Sequence, residues 1–207
     1  MKVYGHPLSS CTRKVLMALA EKHEPVEFVE VDLWNGEQKA APHRARHPFG
    51  VVPVLEDDGF VLLESRAIIR YVDARFADPP LTPGGPREIA RMNQWLSMDQ
   101  SYVAPHARTL ALERLVKARE GKPGDESAER AAEGALRAAF DVFDRALRDT
   151  RYLAGATFSL ADVSLMPYVA SLPLLRAQHV LAGLEHLGAW WARVSARDGW
   201  RRAVEAG

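Results

Sequence analysis

The chain has 207 residues, with 27 Lys plus Arg against 27 Asp plus Glu, and 47% of its residues are hydrophobic. That length allows two modest domains or one large one, and the level charge balance carries no electrostatic footprint for nucleic acid or an anionic membrane. A lone cysteine, Cys11, excludes an internal disulfide and a cysteine-rich metal site. No apolar run reaches the ~18 residues needed to cross a bilayer. Met1–Gly5 enters strand-like sequence directly, without an apolar leader, so a cytoplasmic protein is expected.

In chain order, Lys2–Tyr4 reads as a short strand broken by His6-Pro7. Ser10–Glu21 reads as a helix with Val15, Leu16, Leu19 and Ala20 on its apolar face. Val26–Val31 alternates apolar residues with Glu27 and Glu30 and reads as a second strand. Glu37–Arg46 is a weak helix or an irregular connection. Val54–Glu56 and Val61–Leu63 flank Asp57-Asp58-Gly59, a hairpin signal. Ser65–Phe76 is helical, with Ile68, Ile69, Tyr71 and Val72 available to a sheet. The order βαβ, then a hairpin, then α requires one parallel and one antiparallel half, which is a thioredoxin-like layout.

Composition changes at 77–86 (A-D-P-P-L-T-P-G-G-P), where four prolines and two glycines mark a linker. Beyond it no strand is evident. Helical stretches follow over 87–119, 126–148, 160–175 and 184–197, with Gly121-Lys122-Pro123-Gly124 separating the first two. The expected fold is therefore α/β plus all-α: a thioredoxin-like domain over 1–77, a linker over 78–86 and an all-helical domain over 87–207. In Phe158-Ser159-Leu160-Ala161-Asp162-Val163, Ser159 sits at an N-cap and Asp162 three residues on, with Phe158 and Val163 at the staple positions. Asp162 is expected to serve folding rather than chemistry.

Three fragments in the first 66 residues carry chemistry. H-P-L-S-S-C-T-R (His6–Arg13) puts hydroxyls where a strand turns into a helix, beside unpaired N–H donors and a positive dipole end. F-G-V-V-P-V-L (Phe49–Leu55) offers a Val52-Pro53 peptide able to be cis and to present backbone groups to a ligand. L-E-S-R (Leu63–Arg66) sets a carboxylate and a serine at another helix start. Together they suit a small peptide-like molecule bearing a thiol, two carboxylates and an amine. His6, His43 and His47 lack the spacing of a metal motif and read as solvated or loop-stabilising; no metal is expected.

G-H-P-L-S-S-C-T-R-K-V, D-L-x-x-G-E-x-K, H-P-F-G-x-V-P and L-x-E-S-R-A-I, in this order and with F-S-L-A-D in the second half, resemble the cytosolic glutathione S-transferases over the whole chain. The resemblance is closest to serine-type members such as the phi class. It implies glutathione as cosubstrate, no tightly bound cofactor, a homodimer, and conjugation of glutathione to hydrophobic electrophiles in detoxification. Reduction of organic hydroperoxides is a close variant.

Carried over residue by residue, the resemblance makes Ser9 the hydroxyl that donates to the glutathione sulfur; an ordinary N-cap is the plain alternative, and Ser10 is a rival for the role. Glu64 and Ser65 match contacts to the γ-glutamyl end, against a bare N-cap with a solvated acid. Val52 offers its backbone to the cysteinyl part, with Pro53 as the cis-proline, and Gln38 and Lys39 serve the glycine end. Gln38 and Val51 replace polar residues common in phi-like patterns. Asp99 either crosses a dimer interface toward the γ-glutamyl amine or faces solvent. Leu8, Trp34, Tyr102, His106 and Leu110 are expected to line an electrophile pocket between the domains.

Two rivals stand beside this reading. Cys11, at a helix start, can be a reactive thiol in a thiol transferase, or a small residue facing the sheet. A non-catalytic module of the same fold, binding ligands or proteins, would keep the architecture without the chemistry.

Overall fold

The computed structural model describes residues 1–205. By its internal contacts the chain divides into two units: one formed by Met1–Thr82 together with the chain from Ser195 onward, the other by Pro83–Val194.

The first unit is built on a sheet of four strands in the order β2-β1-β3-β4. β1 (Lys2–Gly5) lies parallel to β2 (Glu27–Glu30) and antiparallel to β3 (Val54–Asp57), which pairs antiparallel with β4 (Phe60–Leu63). The arrangement is thioredoxin-like, as the element order predicts. α1 (Ser10–Glu21) packs against α3 (Ser65–Arg75). Val15, Leu16, Met17, Ala18 and Leu19 are all buried, which is more of the helix than a single apolar face. Gly5 permits this close fit, because a Cβ there would fall 2.4 Å from Thr12 Cγ2. Glu37–Lys39 forms a 3₁₀ turn and Ala41–Arg46 a short helix, α2.

The ends of α1 and α3 fasten the start of the linker. Lys22 Nζ lies 2.5 Å from Asp73 Oδ1 and donates to the Pro79 carbonyl at 2.6 Å, while Asp73 Oδ1 also accepts from the Leu81 N–H at 2.8 Å. The linker expected over 78–86 is thus structured in its first half and belongs to the sheet unit up to Thr82.

The second unit is helical. α4 (Pro86–Met98), α5 (Ala104–Ala111) and α6 (Lys117–Arg119) follow one another through π-helical turns at Asp99–Val103 and Leu112–Val116, where the sequence suggests one plain helix. α7 (Glu126–Leu147) packs on α5, and α8 (Leu160–Ser171) packs on α4. Nearly every residue of α8 is buried, as expected of a helix apolar on all sides. Trp95 meets Phe143 at 4.9 Å between ring centroids. α9 (Glu185–Ser195) closes the unit.

α10 (Asp198–Glu205) departs from the expected domain plan, which gave 87–207 to the helical domain; residues 206–207 of that range lie outside the described residues. α10 packs on α1. Arg197 Nε and Nη2 donate to the two Glu21 carboxylate oxygens at 3.0 and 2.5 Å, and Arg202 Nη2 donates to the Ala20 carbonyl at 2.8 Å. Helical periodicity cannot say which unit a helix joins; these bonds between residues far apart in sequence do. Among the described residues, no helix is long and apolar enough to cross a membrane.

Candidate functional site

Strand register brings the separated motifs to one end of the sheet. Tyr4 pairs with Val54, and Val54 with Leu63, so one row crosses β1, β3 and β4. From that row β1 runs out toward Ser9, β3 comes in from Val52-Pro53, and β4 runs out into Glu64-Ser65. β2 is parallel to β1, with Gly5 opposite Glu30, so the segment carrying Trp34, Gln38 and Lys39 leaves by the same end.

Ser9 is the N-cap of α1, with φ −74° and ψ 118°, and its Oγ accepts from the Thr12 N–H at 3.3 Å. Capping does not exhaust the hydroxyl, which keeps its hydrogen for another acceptor. The first turn of α1 contains no acid, so the positive end of the helix is not offset by a carboxylate. The N-cap and donor readings of Ser9 are therefore compatible. Ser10 and Cys11 follow as the first two helical residues, both half-buried, and Arg13 Nε donates to the Pro7 carbonyl at 2.7 Å, supporting the loop.

The Val52-Pro53 peptide is cis. Its approach is held by His43, whose Nε2 donates to the Val51 carbonyl at 2.8 Å. Gly50 adopts φ +59°, and a Cβ there would sit 2.7 Å from the Gln38 carbonyl oxygen, so this turn needs glycine twice over.

At the third motif Glu64 holds φ +67°, a strained backbone for a residue with a Cβ, and its side chain is exposed without capping α3. Its carbonyl accepts from the Ala67 and Ile68 N–H groups at 2.8 and 2.9 Å. Ser65 opens α3 and is buried, and this helix too lacks an acid in its first turn.

On the connection after β2, Lys39 Nζ donates to the Phe49 carbonyl at 3.0 Å, which leaves two of its three donors for a carboxylate. Gln38 is turned into its own loop instead. Its Nε2 points to the Leu33 carbonyl at 3.5 Å and its Oε1 is buried without a donor.

The three histidines are buried rather than solvated: His6 and His43 are each 4% exposed and His47 is 1% exposed. Burial lowers the His6 and His47 pKa values below the ordinary imidazole value. Glu30 and Asp32 pull His6 back up, and Glu64 does so for His47, where His43 and Lys39 push it further down. No group of three or more His, Cys, Asp or Glu side chains among the described residues is placed to hold a metal ion.

Of the residues expected to receive the electrophile, Leu8 is exposed and Trp34 half-buried in the sheet unit, and Tyr102 is exposed and His106 half-buried in the helical unit. Leu110 is 0% exposed and has no side-chain surface to offer a ligand, which removes it from that set. Asp99 is also corrected: at 1% exposure it neither faces solvent nor reaches outward, and it accepts from Ser164 Oγ at 2.5 Å. A serine inside the apolar run of α8 was the signal for a buried polar partner.

Family models match both parts of the chain: the glutathione S-transferase N-terminal domain over residues 3–80 and the C-terminal domain over residues 91–198. Glutathione S-transferase PARB of Nicotiana tabacum is 32% identical, covering 99% of this chain and 97% of its own. Glutathione S-transferase F7 of Arabidopsis thaliana is 32% identical over 99% of both. Among solved structures, glutathione transferase F7 from Populus trichocarpa superposes with a TM-score of 0.91 at 33% identity, covering 99% of this chain and 97% of that one. Glutathione S-transferase I from mais, in complex with an atrazine glutathione conjugate, gives 0.88 at 26% identity over 99% and 96%.

Proposed function

The chain belongs to the glutathione S-transferase family, and from that premise we propose that it is a serine-type transferase in which Ser9 activates glutathione for attack on hydrophobic electrophiles. The observation that carries this is the Ser9 hydroxyl at the acid-free start of α1, at the sheet end that also bears the cis Val52-Pro53 peptide and the start of α3. A hydroxyl donor and a helix N-terminus both favour thiolate over thiol. The thiol proton leaves to solvent, Ser9 Oγ–H donates to the sulfur anion, and the sulfur forms a bond to carbon as the leaving group departs with the electron pair.

Val52 N–H and C=O pair with the cysteinyl backbone, and Lys39 takes the glycine carboxylate. The α3 N-terminus with Ser65 takes the γ-glutamyl carboxylate, beside Glu64 for the amine. Gln38 plays no direct part, since its amide is turned inward. Leu8, Trp34, Tyr102 and His106 are apolar or aromatic surfaces fit for a hydrophobic acceptor. Conjugation of such acceptors is a detoxification chemistry, and it requires glutathione as the free thiol, which a reducing compartment such as the cytoplasm supplies. A homodimer accords with Phe49, which is 78% exposed in a loop of the sheet unit, an unusual setting for a large apolar side chain.

The test is an ultraviolet titration of bound glutathione against pH in wild type, Ser9→Ala, Ser10→Ala and Cys11→Ser. A thiolate band below the free-thiol pKa, lost in Ser9→Ala alone, is the expected result. Loss in Ser10→Ala alone moves the role to Ser10, and loss of turnover only in Cys11→Ser replaces the mechanism with thiol transfer.

A further inference from the structure

The turn that delivers Ser9 to the start of α1 is closed by a histidine side chain. Within it the Ser9 N–H donates to the His6 carbonyl at 2.9 Å, and the Pro7 carbonyl accepts from Arg13 Nε at 2.7 Å. The His6 N–H donates to Thr12 Oγ1 at 3.2 Å, and Pro7 has no N–H to satisfy. The remaining donor is the Leu8 N–H, which is given to His6 Nδ1 at 3.2 Å. A side chain that accepts from the backbone two residues further on makes an Asx turn; here an imidazole does what asparagine usually does.

Because the Leu8 N–H is a donor, Nδ1 must present a lone pair, and the ring proton sits on Nε2. His6 as a residue is 4% exposed, and its ring meets Trp34 edge to face at 5.8 Å. We propose that His6 is a pH-sensitive positioning residue for Ser9: its neutral, Nε2-protonated ring holds the turn that aims the Ser9 hydroxyl, and protonation at Nδ1 releases it. Protonated, the ring would set one N–H against another across the turn and deprive the Leu8 N–H of its acceptor. The charges that face His6 are Glu30, the last residue of β2, and Asp32, two residues further on, and both favour the imidazolium; burial outweighs them and keeps the ring below its ordinary value. The Arg13 guanidinium, on the adjacent Pro7 carbonyl, adds a cation to the same turn.

This inference rests on the reading of Ser9 as the sulfur's donor. The test compares His6→Asn, whose Oδ1 stands where Nδ1 stands but does not titrate, with His6→Leu, which has no acceptor. Wild type and both variants are followed by kinetics, by the thiolate band of bound glutathione, and by nitrogen NMR of the His6 ring and the Leu8 amide. His6→Leu is expected to lose between about 10- and 100-fold in kcat with little change in the KM for glutathione, as a misplaced reacting group does. His6→Asn is expected to recover most of that loss and to keep its thiolate band. In wild type the ring and the Leu8 amide titrate together at a midpoint below 6.5, and the amide shows no such step in His6→Asn.

A ring proton on Nδ1 at neutral pH, or a full thiolate band in His6→Leu, overturns the proposal. If His6→Leu fails to fold, the wild-type tautomer and the His6→Asn titration decide it. If wild type binds glutathione with no thiolate band, the Ser9 reading falls, while the NMR titration still decides whether His6 holds the turn.

Discussion

Two helices of this protein begin with a serine N-cap, and they use it differently. Ser159 Oγ accepts from the Ala161 N–H at 3.3 Å at the start of α8, where it is fully buried. Asp162, three residues on, completes the cap. Its Oδ2 accepts from the Ser159 N–H and Oγ–H at 3.0 and 3.1 Å, and its Oδ1 accepts from Leu153 N–H and Trp190 Nε1 at 3.0 and 2.8 Å. Ser9 caps α1 through a single bond to Thr12 N–H, is half-buried, and has no acid in its first turn. One helix start is closed by its own carboxylate; the other is left open for an anion from outside. α3 lacks a first-turn acid as α1 does, and so do the short α2 and the helices α5 and α6 that continue from π-helical turns, whereas α4, α7, α8, α9 and α10 each have one. An acid at the start of α1 would offset the positive end that a thiolate needs.

Breaking the closed cap has the largest effect. Asp162→Ala strands three buried N–H donors and is expected to cost about 3–5 kcal/mol of stability, read by chemical denaturation. Whatever fraction remains folded should still lower the thiol pKa of bound glutathione normally. Breaking the open cap reverses the pattern. Ser9→Ala should cost only about 1 kcal/mol in denaturation, as caps do. Its kcat/KM should fall about 10- to 1000-fold if the hydroxyl acts on the sulfur as a preorganised donor. A Ser9→Ala protein with wild-type turnover would place the chemistry elsewhere.

A sharper probe makes the open cap resemble the closed one. Ser9→Asp keeps an N-cap acceptor and should leave the melting temperature nearly unchanged, while its carboxylate repels the thiolate and raises the bound thiol pKa, seen by ultraviolet titration. The smallest effect is global. His6 and His47 have folded pKa values lowered by burial, so below about pH 6.5 the unfolded chain binds protons that the folded chain does not. Their contribution is complete above that pH and declines as pH falls through the lowered values. Denaturation midpoints measured across this window in wild type and His6→Asn should show a shallower acid loss in the variant.

Much of the local structure was legible in the residues. Strands and helices of the sheet unit up to Arg75 lie within a residue or so of their expected bounds, because alternation, the Asp57-Asp58-Gly59 turn and the serine at 9 are local signals. The Asp162 capping box was equally plain, since it is written in six consecutive residues. The π-helical turns were not, because Asp99–Val103 and Leu112–Val116 keep helical composition while their hydrogen bonds slip by one residue. Asp99 and Leu110 were misplaced for a related reason: which side of such a run turns inward depends on its packing, here the approach of Ser164 to Asp99. α10 was missed as an element altogether, though Trp200 and Ala203 recur at helical spacing and are both buried.

What the sequence alone determined is a set of short-range matters: where the chain turns, which serine can cap, which peptide can be cis, and which face of a helix is apolar. These depend on residues within a few positions of each other, and sterics and local hydrogen bonds settle them. Only the tertiary structure decided that Tyr4, Val54 and Leu63 share a row, so that three distant motifs leave one end of one sheet. It alone decided that α10 joins the sheet unit and that His6 gives its lone pair to Leu8 rather than to water. Strand register and burial are set by partners far along the chain, and a donor or carboxylate acquires its role from what its surroundings leave unsatisfied.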